Sequence, residues 1–154
     1  MTVHKLVPLI ALGLNLLLLG SALAADRRGS RNIVFAYLAA CLALWNLGVF
    51  GLRWATEADT ALVWQRILHV GVIPIPVLFY HYVLVFLEQP RRRLLAIGYG
   101  LGAVFLALSA TPAFIGGVRE TLWGFVPAAG PLYALFFVFF QSYLVVGLIH
   151  LVGA

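Results

Sequence analysis

Apolar residues run along this chain in five long blocks, separated by short clusters of charge. The blocks cover residues 3–24, 33–52, 61–87, 94–110 and 131–152. Each approaches or exceeds the roughly 20 residues that a helix needs to cross a bilayer. Most are apolar all round and lack the polar face of a helix at a water boundary. The pattern predicts an all-α integral membrane bundle of five transmembrane helices, a single membrane domain with no soluble domain.

The third block breaks the monotony. It carries Gln65, Arg66 and His69 near one end, Pro74 and Pro76 in the middle, and Tyr80, His81 and Tyr82 near the other end. Polar groups inside a membrane are costly and face protein or water-filled space. Proline removes a backbone donor and frees a carbonyl. This helix is therefore expected at the centre, with Pro74 and Pro76 as either a hinge or a static kink. Arg66 and His69 are three residues apart, which places them on nearly the same helical face. With Trp64 and Trp123 they form the candidate ligand-binding group. Arg66 has two readings. It snorkels to the interface, or it caps an outward pocket and pairs with an anion, Glu57 or Asp59. His69 likewise senses protons or sits neutral against a helix neighbour.

Elsewhere the polar positions are sparse. Gly98 and Gly102 share a face of the fourth block, a spacing that lets helix backbones approach closely. Residues 113–130 form the longest loop, rich in glycine and proline, and read as a lid over the bundle or as a plain connector. Phe136, Phe137, Phe139 and Phe140 read as lipid-facing or packing aromatics. Asn15, Asn46 and Gln141 are expected to bond between helices.

Composition sharpens this picture. Hydrophobic residues make up 64% of the chain and charged residues 10%, outside the range of soluble domains. The net charge of +5 does not suggest nucleic acid, because the arginines sit in interhelical loops and not along a solvated stripe. The one cysteine, Cys41, lies within a span, so neither a disulfide nor a thiolate metal site is expected. His81 and His150 fall at similar depth on different helices, which raises haem or metal ligation. No second pair of histidines and no carboxylate within a span supports it, so no metal and no cofactor are expected. No nucleophile–base pair or phosphate-binding glycine loop is seen.

The arginines set an orientation. Arg27, Arg28 and Arg31 occupy the first interhelical loop, and Arg91, Arg92 and Arg93 the third. The other loops hold only Arg53 and Arg119, each offset by nearby acids. The positive-inside rule puts the arginine-rich loops in the cytoplasm, the N-terminus outside and the C-terminus inside. Lys5 falls on the wrong side. Trp54, Trp64 and Trp123 then share the outer interface. The first block ends in Ser21-Ala22-Leu23-Ala24-Ala25-Asp26, similar to a signal-peptidase site, so cleavage is the alternative to a retained first span.

Three stretches carry a resemblance. They are Arg27-Arg28-Gly29-Ser30-Arg31 followed by Leu44-Trp45-Asn46-Leu47-Gly48; the run from Trp64 through Arg66, His69, Gly71, Pro74, Pro76 and His81 to Tyr82; and the segment from Trp123 through Pro127 and Gly130-Pro131 to Tyr133. Together they resemble the seven-helix N-terminal sensor region of bacterial membrane histidine kinases. The resemblance implies a bacterial inner-membrane location, an outside N-terminus, homodimerisation and a cytoplasmic output domain or partner kinase. Helices six and seven, the phospho-accepting module and the ATP-binding module are not expected within these residues, so the chain is not expected to be an enzyme. The expected function is sensory input. A small or lipophilic ligand, or the state of the bilayer, is read near Arg66 and His69. The alternatives are a small transporter or channel subunit, or a structural membrane protein.

Overall fold

The computed structural model describes residues 3–25, 29–89, 92–122 and 124–154, with side chains from Leu6 onward. Its elements are α1 (Val3–Ala24), α2 (Ser30–Trp54), α3 (Ala58–Val72), α4 (Ile75–Phe86), α5 (Arg92–Leu108), β1 (Ile115–Thr121), β2 (Gly124–Ala129) and α6 (Tyr133–Val152). Among the described residues, four helical units are long and apolar enough to span a membrane: α1, α2, the continuous α3–α4 unit over Ala58–Phe86, and α6. The fifth helix, α5, has 17 residues, about 25 Å at the usual rise per residue. It is a little short of the roughly 30 Å hydrocarbon core.

The third span is the central one. The most apolar window of α3–α4 is 56% buried, against 11% for α1. It packs on α2, α5, α6 and both strands, whereas α1 packs on α2. The span breaks at the prolines. Ile73 and Pro74 keep right-handed helical dihedrals, and Leu78 N–H donates to the Pro74 carbonyl at 2.9 Å. Pro74 and Pro76 have no N–H to offer the turn before them, so the ladder is interrupted while the chain path continues.

Glycines bring α2 against α3. A Cβ on Gly48 would lie 2.6 Å from Leu68 Cα, and one on Gly71 would lie 2.5 Å from the Trp45 nitrogen. A Cβ on Gly51 would collide with the ring of Trp64. Two motif glycines of the sequence, Gly48 and Gly71, thus have a packing explanation.

The long loop adds a small sheet to the helical bundle. β1 and β2 form an antiparallel hairpin with an irregularity between Ile115 and Gly117. Gly117 (φ 148°) and Gly124 (φ 98°) take conformations that disfavour side chains. Phe125 on β2 packs with Leu52, Ala61 and Trp64, which seats the hairpin over the α2–α3 end of the bundle. Its glycine and proline content reads as loop, yet Val118, Thr121, Phe125 and Val126 suit paired strands.

Candidate functional site

His69 lies at the foot of this hairpin. It is fully buried, at 0% exposure. Its Nδ1 sits 2.8 Å from the carbonyl of Gln65, one turn earlier on α3. Its Nε2 sits 3.3 Å from the hydroxyl of Tyr133, the first residue of α6. One neutral tautomer satisfies both contacts: Nδ1–H donates to the carbonyl, and Nε2 accepts from the phenol. The ring also meets Phe114 edge-on at 5.4 Å and Tyr133 at 5.7 Å between centroids.

Phe114 leads into the hairpin and Tyr133 follows it. The two ends are tied by Gly130 N–H to the Phe114 carbonyl at 2.9 Å and Leu132 N–H to the Ala113 carbonyl at 3.0 Å. Gly130 is required here, because a Cβ would run into the Ala113 backbone. The closed base of the hairpin therefore rests on one buried imidazole. Beside it, Gln65 is 1% exposed and its Oε1 has no hydrogen-bond partner. An unsatisfied buried amide oxygen costs about 1–3 kcal/mol.

From His69 a file of aromatic rings runs down the bundle. Phe114 contacts Phe136 at 5.3 Å, Phe136 contacts Phe105 at 5.6 Å, and Phe105 contacts Phe139 at 5.2 Å. Phe139 meets Tyr143 at 5.2 Å, Tyr143 meets Tyr80 at 5.8 Å, and Tyr80 meets His150 at 5.7 Å. Phe79 fits the space left by Gly147 on α6. This file passes the proline break and joins the hairpin end to the arginine-bearing end.

With this geometry in hand, comparison with known families is decisive. The sequence profile of the N-terminal 7TM region of histidine kinase matches residues 7–154, essentially the whole chain. The chain belongs to this family. No curated protein and no solved structure matches it. It is thus a multi-pass membrane sensor region of the histidine kinase family, a class whose members couple to a kinase output. Only that membrane region is detected in the 154 residues.

Within this sensor region the expected site residues part company. His69 is buried while Arg66 is exposed, so they do not form one patch. Among the described residues Arg66 makes no ion pair with Glu57 or Asp59. Trp64 is half-buried against Gly51. Trp123 lies outside the described residues. Pro74 and Pro76 stand at the break in the third span, Pro76 with under 2% exposure.

Other polar expectations are corrected. Asn15 and Asn46 do not bridge helices; each donates to the carbonyl four residues earlier at 2.8 Å, because a helix supplies that acceptor without a neighbour. Gln141 is exposed. His81 and His150 do not converge. His81 Nδ1 lies 2.8 Å from the Tyr99 hydroxyl, and His150 Nδ1–H reaches the Val146 carbonyl at 2.8 Å. No cluster of three or more metal-ligating side chains occurs among the described residues. Gly98 receives the Tyr143 ring, whereas Gly102 has open space before it. Sequence reasoning missed Tyr133, Phe114 and Gln65 as partners of His69. Only Gln65 had a legible signal, its spacing of four on the same helix.

Proposed function

We propose that this sensor region reads a small lipophilic ligand, or the state of the outer leaflet, through the hairpin clamped on His69. The observation that carries the reading is the burial of His69 between the two ends of the hairpin, through Phe114 and Tyr133. A ligand that lifts or presses the hairpin must act on this ring. Arg66 and Trp64 lie one and two helical turns or less from it on α3 and supply the rim. The signal then travels along the aromatic file and the Pro74–Pro76 joint, an element able to take two arrangements. It ends in a cytoplasmic histidine kinase output, within the same polypeptide or in a partner, and the module works as a homodimer.

In this reading the protein sits in a bacterial cytoplasmic membrane. Its N-terminus is outside, and Arg31, Arg92 and Arg93 are cytoplasmic, as the positive-inside rule requires. The test is hydrogen exchange on the chain in lipid nanodiscs, with His69→Asn beside wild type and a panel of small lipophilic compounds. A compound that changes exchange in residues 114–130 and in α4 together, and does so only when His69 is present, supports the reading. A hairpin that exchanges identically in His69→Asn and wild type overturns it. Solute uptake into vesicles that is abolished by Arg66→Ala would favour a transporter instead.

A further inference from the structure

The opposite end of the bundle holds a cleft of about 410 Å³, bordered by the starts of α2 and α5 and the end of α4. Ser30 and Arg92, each the first residue of its helix, line it together with His81 and Gln89. We propose that this cleft binds the phosphate of an anionic phospholipid headgroup. It lies at the far end of the molecule from the hairpin and does not rest on the sensory reading.

Four observations carry the assignment. Arg92 is exposed and has no ion-pair or hydrogen-bond partner among the described residues, so its guanidinium is available to an anion. His81 is anchored through Nδ1 by the Tyr99 hydroxyl at 2.8 Å, which leaves Nε2 as the ring's remaining polar atom in the cleft wall. Helices α2 and α5 both begin here, and the N-cap of α2, Gly29, offers no side-chain cap. Their first N–H groups add partial positive charge. Leu84, Val85 and Leu95 form an apolar stretch of the same wall.

The last observation decides between sources of phosphate. A hydrated inorganic ion gains nothing from three aliphatic side chains. A lipid can set its phosphate among Arg92, His81 and Ser30 and lay its glycerol and upper acyl carbons on Leu84, Val85 and Leu95. Among the described residues Glu88 is the one carboxylate on the wall and opposes an anion. It is exposed, and it is outweighed by Arg92 and by Arg31, which lines the neighbouring groove on the other side of the α2 start. Basic side chains at a membrane surface attract anionic lipids in this way.

The experiment uses the whole chain in nanodiscs of phosphatidylcholine containing a minor fraction of phosphatidylglycerol. Lipids that remain bound on release are counted by native mass spectrometry. Wild type is expected to retain phosphatidylglycerol in preference to phosphatidylcholine. Arg92→Gln should lower that preference roughly fivefold, the effect of one basic side chain at an anionic surface. Arg92→Lys should keep most of it, and Arg119→Gln, an exposed arginine on β1 at the hairpin end, should leave it unchanged. Far-UV circular dichroism checks that each variant is folded. Equal preference in wild type and Arg92→Gln overturns the site, as does an equal loss in Arg119→Gln. In a separate arm inorganic phosphate is added to the same phosphatidylglycerol-containing nanodiscs. If it binds with the same dependence on Arg92 and displaces phosphatidylglycerol, the ligand is a free anion and the lipid assignment falls.

Discussion

The two ends of the bundle solve the problem of polar groups in a membrane in opposite ways. At the hairpin end, His69 and Gln65 are taken out of contact with solvent altogether, at 0% and 1% exposure, and are covered by Phe114, Tyr133 and Phe136. At the arginine end, His81 is half-buried and opens on a 410 Å³ cleft beside an exposed Arg92. One end is closed and neutral; the other is open and basic. A closed polar site can change only if the backbone above it moves, which is the property a clamp needs. An open charged site can exchange its partners without any rearrangement. The aromatic file from Phe114 to His150 connects the two kinds of site.

Replacing the histidines one at a time should break this comparison most sharply. His69→Ala removes a ring at zero exposure and takes the buried imidazole partner from the Tyr133 hydroxyl. We expect a loss of about 2–4 kcal/mol, from lost packing and an unmet hydrogen bond, with faster hydrogen exchange across residues 114–130. His81→Ala loses one hydrogen bond at a half-open site and should cost about 1 kcal/mol or less. Steric trapping in bicelles measures both. Equal losses would mean that the two ends do not differ as the burial pattern says.

The glycines of α5 give the next largest effect. Gly98→Ala puts a Cβ 2.6 Å from the Tyr143 ring, whose hydroxyl donates to the Leu94 carbonyl at 2.8 Å. Overpacking of this kind costs about 1–3 kcal/mol. Gly102→Ala meets nothing within 4 Å and opens on a cavity of about 200 Å³ that Pro74 also lines. There the better helix propensity of alanine should show, as a gain of up to about 1 kcal/mol. Two glycines that look equivalent in sequence should therefore respond with opposite sign in the same unfolding assay.

That pair shows what the sequence could convey. Block lengths and the absence of polar faces made the helical membrane bundle legible, because in lipid the backbone must satisfy itself and little besides a helix does so. The proline break was legible for the same local reason. Which of two glycines on one face meets Tyr143 depends on how α6 packs, and periodicity carries no information about a partner helix. The same limit hid the partners of His69. Arg66 at a spacing of three looked like its neighbour, but Gln65 at a spacing of four shares its buried side, and Phe114 and Tyr133 arrive from 45 or more residues away along the chain. The hairpin reads as loop from its glycines and Pro127, although its backbone pairing needs those glycines at Gly117 and Gly124.

Gln65 tests the closed end more finely. Its Oε1 is buried without a partner, while the bond that holds His69 comes from the Gln65 backbone carbonyl. Gln65→Leu keeps the backbone carbonyl, nearly keeps the volume and removes the unsatisfied amide oxygen. The expected result is neutral to stabilising by about 1 kcal/mol, with hairpin exchange unchanged. The Gln65 Nε2 lies 3.4 Å from His69 Nδ1, a long contact whose loss alone costs at most about 1 kcal/mol; a larger loss of stability would show that Oε1 has a partner in the folded protein, such as a bound ligand, and would make Gln65 a contact residue of the sensor.

The smallest predicted effect belongs to the open end and has the same sign for a different reason. Glu88 follows the last turn of α4 with φ 57°, a left-handed conformation in which Gln89 N–H reaches back to the Leu84 carbonyl at 2.9 Å. Glycine ends helices in this way without a Cβ penalty. A glutamate there is also an acid at the negative end of a helix dipole. Glu88→Gly should therefore stabilise the α4 terminus by roughly 0.5–1 kcal/mol, read as slower hydrogen exchange in the last turn of α4. It also removes the one carboxylate that the described residues place on the wall of the cleft, so retention of phosphatidylglycerol should rise together with stability. If stability rises while lipid retention falls, Glu88 is a ligand contact, and the anion cannot sit where Arg92 and His81 place it.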